Sequence, residues 1–124
     1  MAEWQAMGLD LHNCPIRSIL DQVAAKWPVL ILLEVHQEPK RFNMLLRAIP
    51  DISRRMLTQG LRDLEQNGLL TRTLFDTRPP AVEYALTALG RSLMDPLLAL
   101  VDWAALNRAA VAEAHRLYDS ARQA

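Results

Sequence analysis

The chain has 124 residues, with 14 Lys+Arg against 14 Asp+Glu, a single cysteine and a formal net charge of zero. That length supports one domain over residues 1–124, and a hydrophobic content of 51% excludes a disordered chain. One cysteine excludes an intrachain disulfide and a paired-cysteine metal site, and the longest aliphatic run, Val29 to Leu33, is too short to span a bilayer.

Glu3 without a basic n-region predicts no secretory signal, so the expected location is cytoplasmic, with no membrane partner. The first helix is predicted over 15–26. Ile16, Ile19, Leu20, Val23 and Trp27 follow a helical spacing, and Pro15 suits a first helical position after Cys14 as N-cap. Residues 28–37 form a buried apolar element; Pro28 at its start favours a helix over a strand. A short helix is expected over 43–49 with Met44, Leu45 and Ala48 inward, broken by Pro50-Asp51.

Ser53 then caps a helix over 54–67 whose apolar positions are Met56, Leu57, Leu61 and Leu64. Asn67-Gly68 supplies its left-handed end, with Leu69 as the accompanying hydrophobic contact. Residues 69–75 and 81–86 read as two strands joined by the turn-rich 76–80. Thr87 caps the next helix, through Leu89, Leu93, Leu97, Leu98 and Val101, with Pro96 expected to kink it. From about 103 to 122 the tail is Ala-rich. Trp103, Leu106, Ala110, Ala114, Leu117 and Ala121 form a narrow seam suited to a partner helix.

The zero net charge conceals a division. Residues 1–39 carry −3, residues 40–80 carry +4 and residues 81–124 carry −1. The basic block holds Lys40, Arg41, Arg47, Arg54, Arg55, Arg62, Arg72 and Arg78. It spans the capped helix and the hairpin, where arginine suits phosphate and guanine.

Helix, helix, short helix, helix, two-stranded wing, helix is the order of a winged helix-turn-helix. The expected class is therefore mainly α with a small β-hairpin wing (α+β) and C-terminal dimerisation helices. Five motifs recur in this order: Cys14-Pro15, Lys26-Trp27, Arg41-Phe42-Asn43-x-Leu45, the run from Ile52-Ser53-x-Arg55 to Gly68-Leu69, and Pro79-Pro80-x-Val82-Glu83-Tyr84-x-Leu86-Thr87-x-x-Gly90. On them the sequence resembles the HxlR branch of the MarR-like bacterial transcriptional regulators over roughly residues 14–103. It departs from the family at Ala25, where Gly is usual, and at Pro28, where Thr or Ser is usual. The organisation expected is a winged core over 14–92 flanked by dimerisation segments 1–13 and 93–124.

In a helix-turn-helix the second helix enters the major groove. Arg55 and Gln59 are assigned to base reading, or to adjacent phosphates if the docking tilts, with Thr58 as a secondary reader. Ser53, Arg54 and Arg62 are assigned to nearby phosphate, Arg78 to the wing tip at a minor groove or phosphate, and Lys40, Arg41 and Arg72 to flanking phosphates. The expected partners are double-stranded operator DNA and a second copy of the chain, paired through Trp103, Leu106, Ala110 and Leu117. Two half-sites about one DNA turn apart, roughly 34 Å, then imply a pseudo-palindromic operator.

Cys14 is the redox-sensing candidate. A thiol at a helix N-terminus has its thiolate favoured, and the resemblance implies sensing because some family members respond to oxidants or electrophiles there. The competing reading of Cys14 is a small buried residue at a tight helix start. Two other functions remain open: a regulator with a small-molecule ligand between wing domain and tail helices, or a winged-helix protein-interaction module without DNA binding. No pattern identifies an inducer. His12, His36 and His115 are scattered, and no nucleophile–base pair or glycine-rich phosphate loop stands out, so no metal, cofactor or enzyme activity is expected.

Overall fold

A capped, short-looped run of amphipathic segments becomes a helical chain with one small sheet. The computed structural model describes residues 2–8 and 15–123. In order these form α1 (Glu3–Ala6), α2 (Pro15–Val23), α3 (Lys26–Gln37), β1 (Lys40–Arg41), α4 (Phe42–Ala48), α5 (Arg54–Gln66), β2 (Leu70–Phe75), β3 (Ala81–Leu86), α6 (Ala88–Leu106) and α7 (Arg108–Gln123). The chain divides into two compact units, residues 1–92 and 93–124.

In the first unit, α3 packs against α5 and β3. Its Ile31, Leu32 and Val35 are buried, as are Leu45, Ile49 and Ile52 around α4 and Leu57, Leu61 and Leu64 of α5. The ambiguous segment is thus a helix, and it begins at Lys26 with Ala25 as N-cap. Pro28 is its third residue, not its first. The first four amides of a helix have no internal acceptor, so proline loses no bond there.

The sequence places too many residues inward on α4 and α5. Met44 (40% exposed) and Met56 (38% exposed) both reach solvent, and Ala48 is exposed. On α4 the inward pair is Leu45 and Ile49, an i, i+4 step that turns Met44 and Ala48 aside by about 100° each. On α5 the stripe Leu57–Leu61–Leu64 sets the face, and the buried Gly60, not Met56, completes it. On α2, Ile19 and Leu20 are each 50% exposed, although their spacing marks them as an apolar face. The α4–α5 turn passes through Asp51 at φ 67°, a left-handed conformation that Asp tolerates better than most residues.

Both ends of α5 are chemically closed. Ser53 Oγ accepts the Met56 amide at 3.1 Å, a cap worth about 1 kcal/mol. At the other end Gly68 takes φ 77°, its amide donates to Glu65 O at 3.0 Å, and the Leu69 amide donates to Leu64 O at 3.0 Å. These are the two bonds of a Schellman motif, and Leu64 and Leu69 are both buried beside it.

The sheet has three antiparallel strands in the order β1-β3-β2. The β2–β3 hairpin runs in register from Leu70↔Leu86 to Phe75↔Ala81, and Lys40↔Tyr84 and Arg41↔Glu83 add β1 to the other edge of β3. The hairpin matches the sequence expectation. Strand β1 does not appear there, because two residues carry no alternating pattern. Thr87 fixes the return from the wing: its amide donates to Leu69 O, its hydroxyl donates to Gly68 O at 2.6 Å, and Thr87 Oγ1 accepts the Gly90 amide at 2.9 Å.

In the second unit, Pro96 lies inside the helical run of α6, which continues to Leu106. Asn107 separates α6 from α7. Its side chain donates to the Trp103 carbonyl at 2.8 Å, beside its own amide, which donates to the same oxygen at 3.0 Å. No residue of α7 is buried. Among the described residues no helix is long and apolar enough to cross a membrane.

Candidate nucleic-acid interface

Helix α5 divides into two faces at the residues that its packing dictates. With Leu57, Gly60, Leu61 and Leu64 inward, Arg54, Arg55, Thr58, Gln59 and Arg62 are all exposed. They stand beyond a capped N-terminus whose turn is fixed by Ser53. Gln59 Nε2 donates to Asp63 Oδ1 at 2.9 Å, one turn along the same face.

Three concave surfaces flank this helix and the wing. A hollow of about 300 Å³ is lined by Thr58, Arg62, Glu65, Arg72 and Tyr84, so it joins Arg62 of α5 to Arg72 of β2. A second, of about 740 Å³, lies between α4 and the wing and is lined by Arg41, Arg47 and Arg78 among others, with no carboxylate in its wall. A third, of about 380 Å³, has Asp21, Trp27, Arg55, Gln59 and Asp63 in its wall. Trp27 is half-buried, and Lys26 Nζ stands 4.5 Å from its ring centre.

The structure therefore gathers most of the basic block along α5, α4 and the wing. It also adds Arg47, which the sequence reading left out of the interface. The available signal was its position one helical turn after Asn43, on the α4 segment that follows Arg41.

Lys40 is a correction. It was expected to meet phosphate, yet it is 7% exposed. Its Nζ lies 2.5 Å from Glu34 Oε2 and 3.0 Å from Gln37 Oε1, both on α3. Pairing of β1 with β3 turns this side chain inward, where the Glu34 carboxylate neutralises it. Its charge is not offered to a ligand. Cys14 lies outside the described residues. Trp103 (58% exposed), Leu106 (84%), Ala110 and Leu117 (55%) are all exposed in the single chain. Among the described residues no group of three or more His, Cys, Asp or Glu side chains is placed to hold a metal ion.

Comparison with known proteins decides the class. The HxlR-like helix-turn-helix family matches residues 22–111. The chain belongs to this family. The HTH-type transcriptional regulator YtfH of Escherichia coli (strain K12) is 44% identical over 96 residues, which cover 77% of this chain and 76% of that protein. A solved YtfH transcriptional regulator from Salmonella typhimurium is 40% identical with a TM-score of 0.80, covering 85% of this chain and 94% of that one. The redox regulator HypR in its reduced form is 38% identical with a TM-score of 0.71, covering 77% and 94%.

This HxlR-like chain is thus a transcriptional regulator of the DNA-binding helix-turn-helix class, with a winged-helix fold. Its α4 and α5 are the helix-turn-helix pair, and β2–β3 is the wing.

Proposed function

We propose that the protein acts in the cytoplasm as a homodimer that binds a pseudo-palindromic operator, by recognition and not by catalysis. Helix α5 enters the major groove. Arg55 and Gln59 meet base edges, Thr58 stands beside them, and Ser53, Arg54 and Arg62 hold the adjacent backbone. Arg41 and Arg72 take flanking phosphates, and Arg78 carries the wing tip to the backbone or minor groove. The observation that carries this reading is the exposed α5 face, with five of its residues (Arg54, Arg55, Thr58, Gln59, Arg62) able to donate to DNA acceptors. Pairing of two chains through the exposed tail seam supplies the second half-site.

The test is fluorescence anisotropy with a duplex from upstream of the protein's own gene, titrated with salt. Specific binding should exceed that to a scrambled duplex, with log affinity falling linearly in log salt. Equal affinity for both duplexes would remove the operator reading.

A second reading concerns the switch. HypR, a redox regulator by its description, has been solved in reduced and oxidised forms. For this chain the corresponding reading is that Cys14 responds to oxidant or electrophile. As the single cysteine, it bridges only to another molecule's thiol. Diamide should then alter operator affinity in the wild type and not in Cys14→Ser; an equal response in both would leave Cys14 a structural residue.

A further inference from the structure

Asp63 is acidic, yet it sits on the DNA-facing side of α5 beside Gln59. A carboxylate there repels phosphate, so its presence asks for a compensating role. The hydrogen bond from Gln59 Nε2 to Asp63 Oδ1, at 2.9 Å, supplies one. An ionised carboxylate only accepts, so it selects between the two orientations of the Gln59 amide. The NH₂ end turns toward Asp63 and the carbonyl end turns away. The reverse orientation sets two oxygens against each other.

Asp63 is itself held. It is half-buried, and its main-chain carbonyl accepts the Asn67 amide at 3.0 Å and the Asn67 side chain at 2.8 Å. One N–H of Gln59 is used by the carboxylate, which leaves Oε1 and the second N–H for a ligand. An acceptor beside a donor is the complement of adenine, which offers N6–H and N7 in the major groove; guanine offers two acceptors, O6 and N7.

We propose that Asp63 is a positioning residue that fixes the Gln59 amide to read adenine in each half-site. This rests on the operator reading above and deepens it. Asp63 touches no base; it acts through Gln59. Asn at 63 keeps the side-chain shape but donates as well as accepts, so it permits the amide to turn over. Gln59 then presents its NH₂ outward and can donate it to the guanine acceptors O6 and N7.

The experiment selects binding sites from a random duplex pool with the wild type, Gln59→Ala, Asp63→Asn and Asp63→Ala, with thermal melting as a check on folding. The wild type should yield one adenine column per half-site, which Gln59→Ala erases. Asp63→Asn should convert that column to mixed adenine and guanine, reducing a preference of about tenfold or more to near unity. Asp63→Ala should weaken the same column while raising affinity for all sequences, because a negative charge has left the interface. A column unchanged in both Asp63 variants overturns the assignment while leaving the operator reading intact. A column that Gln59→Ala does not alter also overturns it. A wild-type pool without enrichment overturns the assignment and the operator reading together.

Discussion

A β-carbon placed on Gly60 would stand 2.7 Å from Cδ1 of Ile31, a side chain with no solvent exposure. The glycine is therefore what lets α5 lie close on α3. Alanine at 60 gains about 1 kcal/mol of helix propensity but pushes a core methyl out of place, at about 1–3 kcal/mol. The expected result for Gly60→Ala is a net loss of about 1 kcal/mol in urea unfolding. Ile31→Val removes the offending methyl, so the double variant should lose less than the sum of the singles. Gly90 differs, because a β-carbon there would meet the Leu69 carbonyl oxygen at 2.2 Å. Main chain does not rotate aside. Gly90→Ala should cost more than Gly60→Ala, about 3 kcal/mol.

The sequence places Lys40 on a flanking phosphate and Arg78 at a minor groove or phosphate, and the structure separates them. Lys40 is bound to Glu34 and Gln37, whereas Arg78 is exposed in the wing turn. Lys40→Ala should cost about 1–3 kcal/mol in unfolding, since it strips a charged hydrogen bond from Glu34. It should leave the salt dependence of operator binding unchanged. Arg78→Ala should do the reverse: stability within about 0.5 kcal/mol, and a log–log salt slope for the dimer shallower by about 1.8, roughly 0.9 per protomer. A full slope in Arg78→Ala would take the wing tip off the phosphate.

Ser53 has two duties that substitution can divide. Its Oγ accepts the Met56 amide, and its hydroxyl proton is left to donate. Ser53→Ala should lose about 1 kcal/mol of stability and some operator affinity. Ser53→Asp keeps the cap, and with it the stability, but sets a carboxylate against DNA. Equal operator affinity in the wild type and Ser53→Asp would place Ser53 away from the phosphate.

Strong local chemistry made much of this architecture legible in the sequence. Ser53, Asn67-Gly68 and Thr87 end or begin elements through bonds within a few residues, and each does so in the structure. What escaped depends on neighbours distant in the chain. Lys40 looks like any basic residue until β3 pairs with β1 and α3 brings Glu34 to it. Met56 fits an apolar stripe as well as Gly60 does by count, and only the close approach of α3 gives the inward position to glycine. At the interface, the charge block located α5 and the wing. Asp63 went unread because its effect passes through Gln59, and Arg47 because only the α4–wing cleft brings it into one wall with Arg78.

The tail supplies the last prediction. Leu106 is 84% exposed, Trp103 58%, Leu117 55% and Tyr118 60%, an arrangement costly for helices that stay in water. Burying a leucine side chain is worth about 1.5–3 kcal/mol, so a symmetric interface that covers Trp103, Leu106 and Leu117 twice over has a strong driving force. The wild type should sediment as a dimer at micromolar concentration. Leu106→Glu with Leu117→Glu should sediment as a monomer with its helical circular dichroism retained, and should lose the affinity gained from a second half-site. Arg116→Ala is the control: its partner Glu113 lies on the same helix and both are exposed, so the dimer should persist. A wild-type monomer at tens of micromolar would assign the seam to some other partner, and would leave each α5 to read its few base pairs alone.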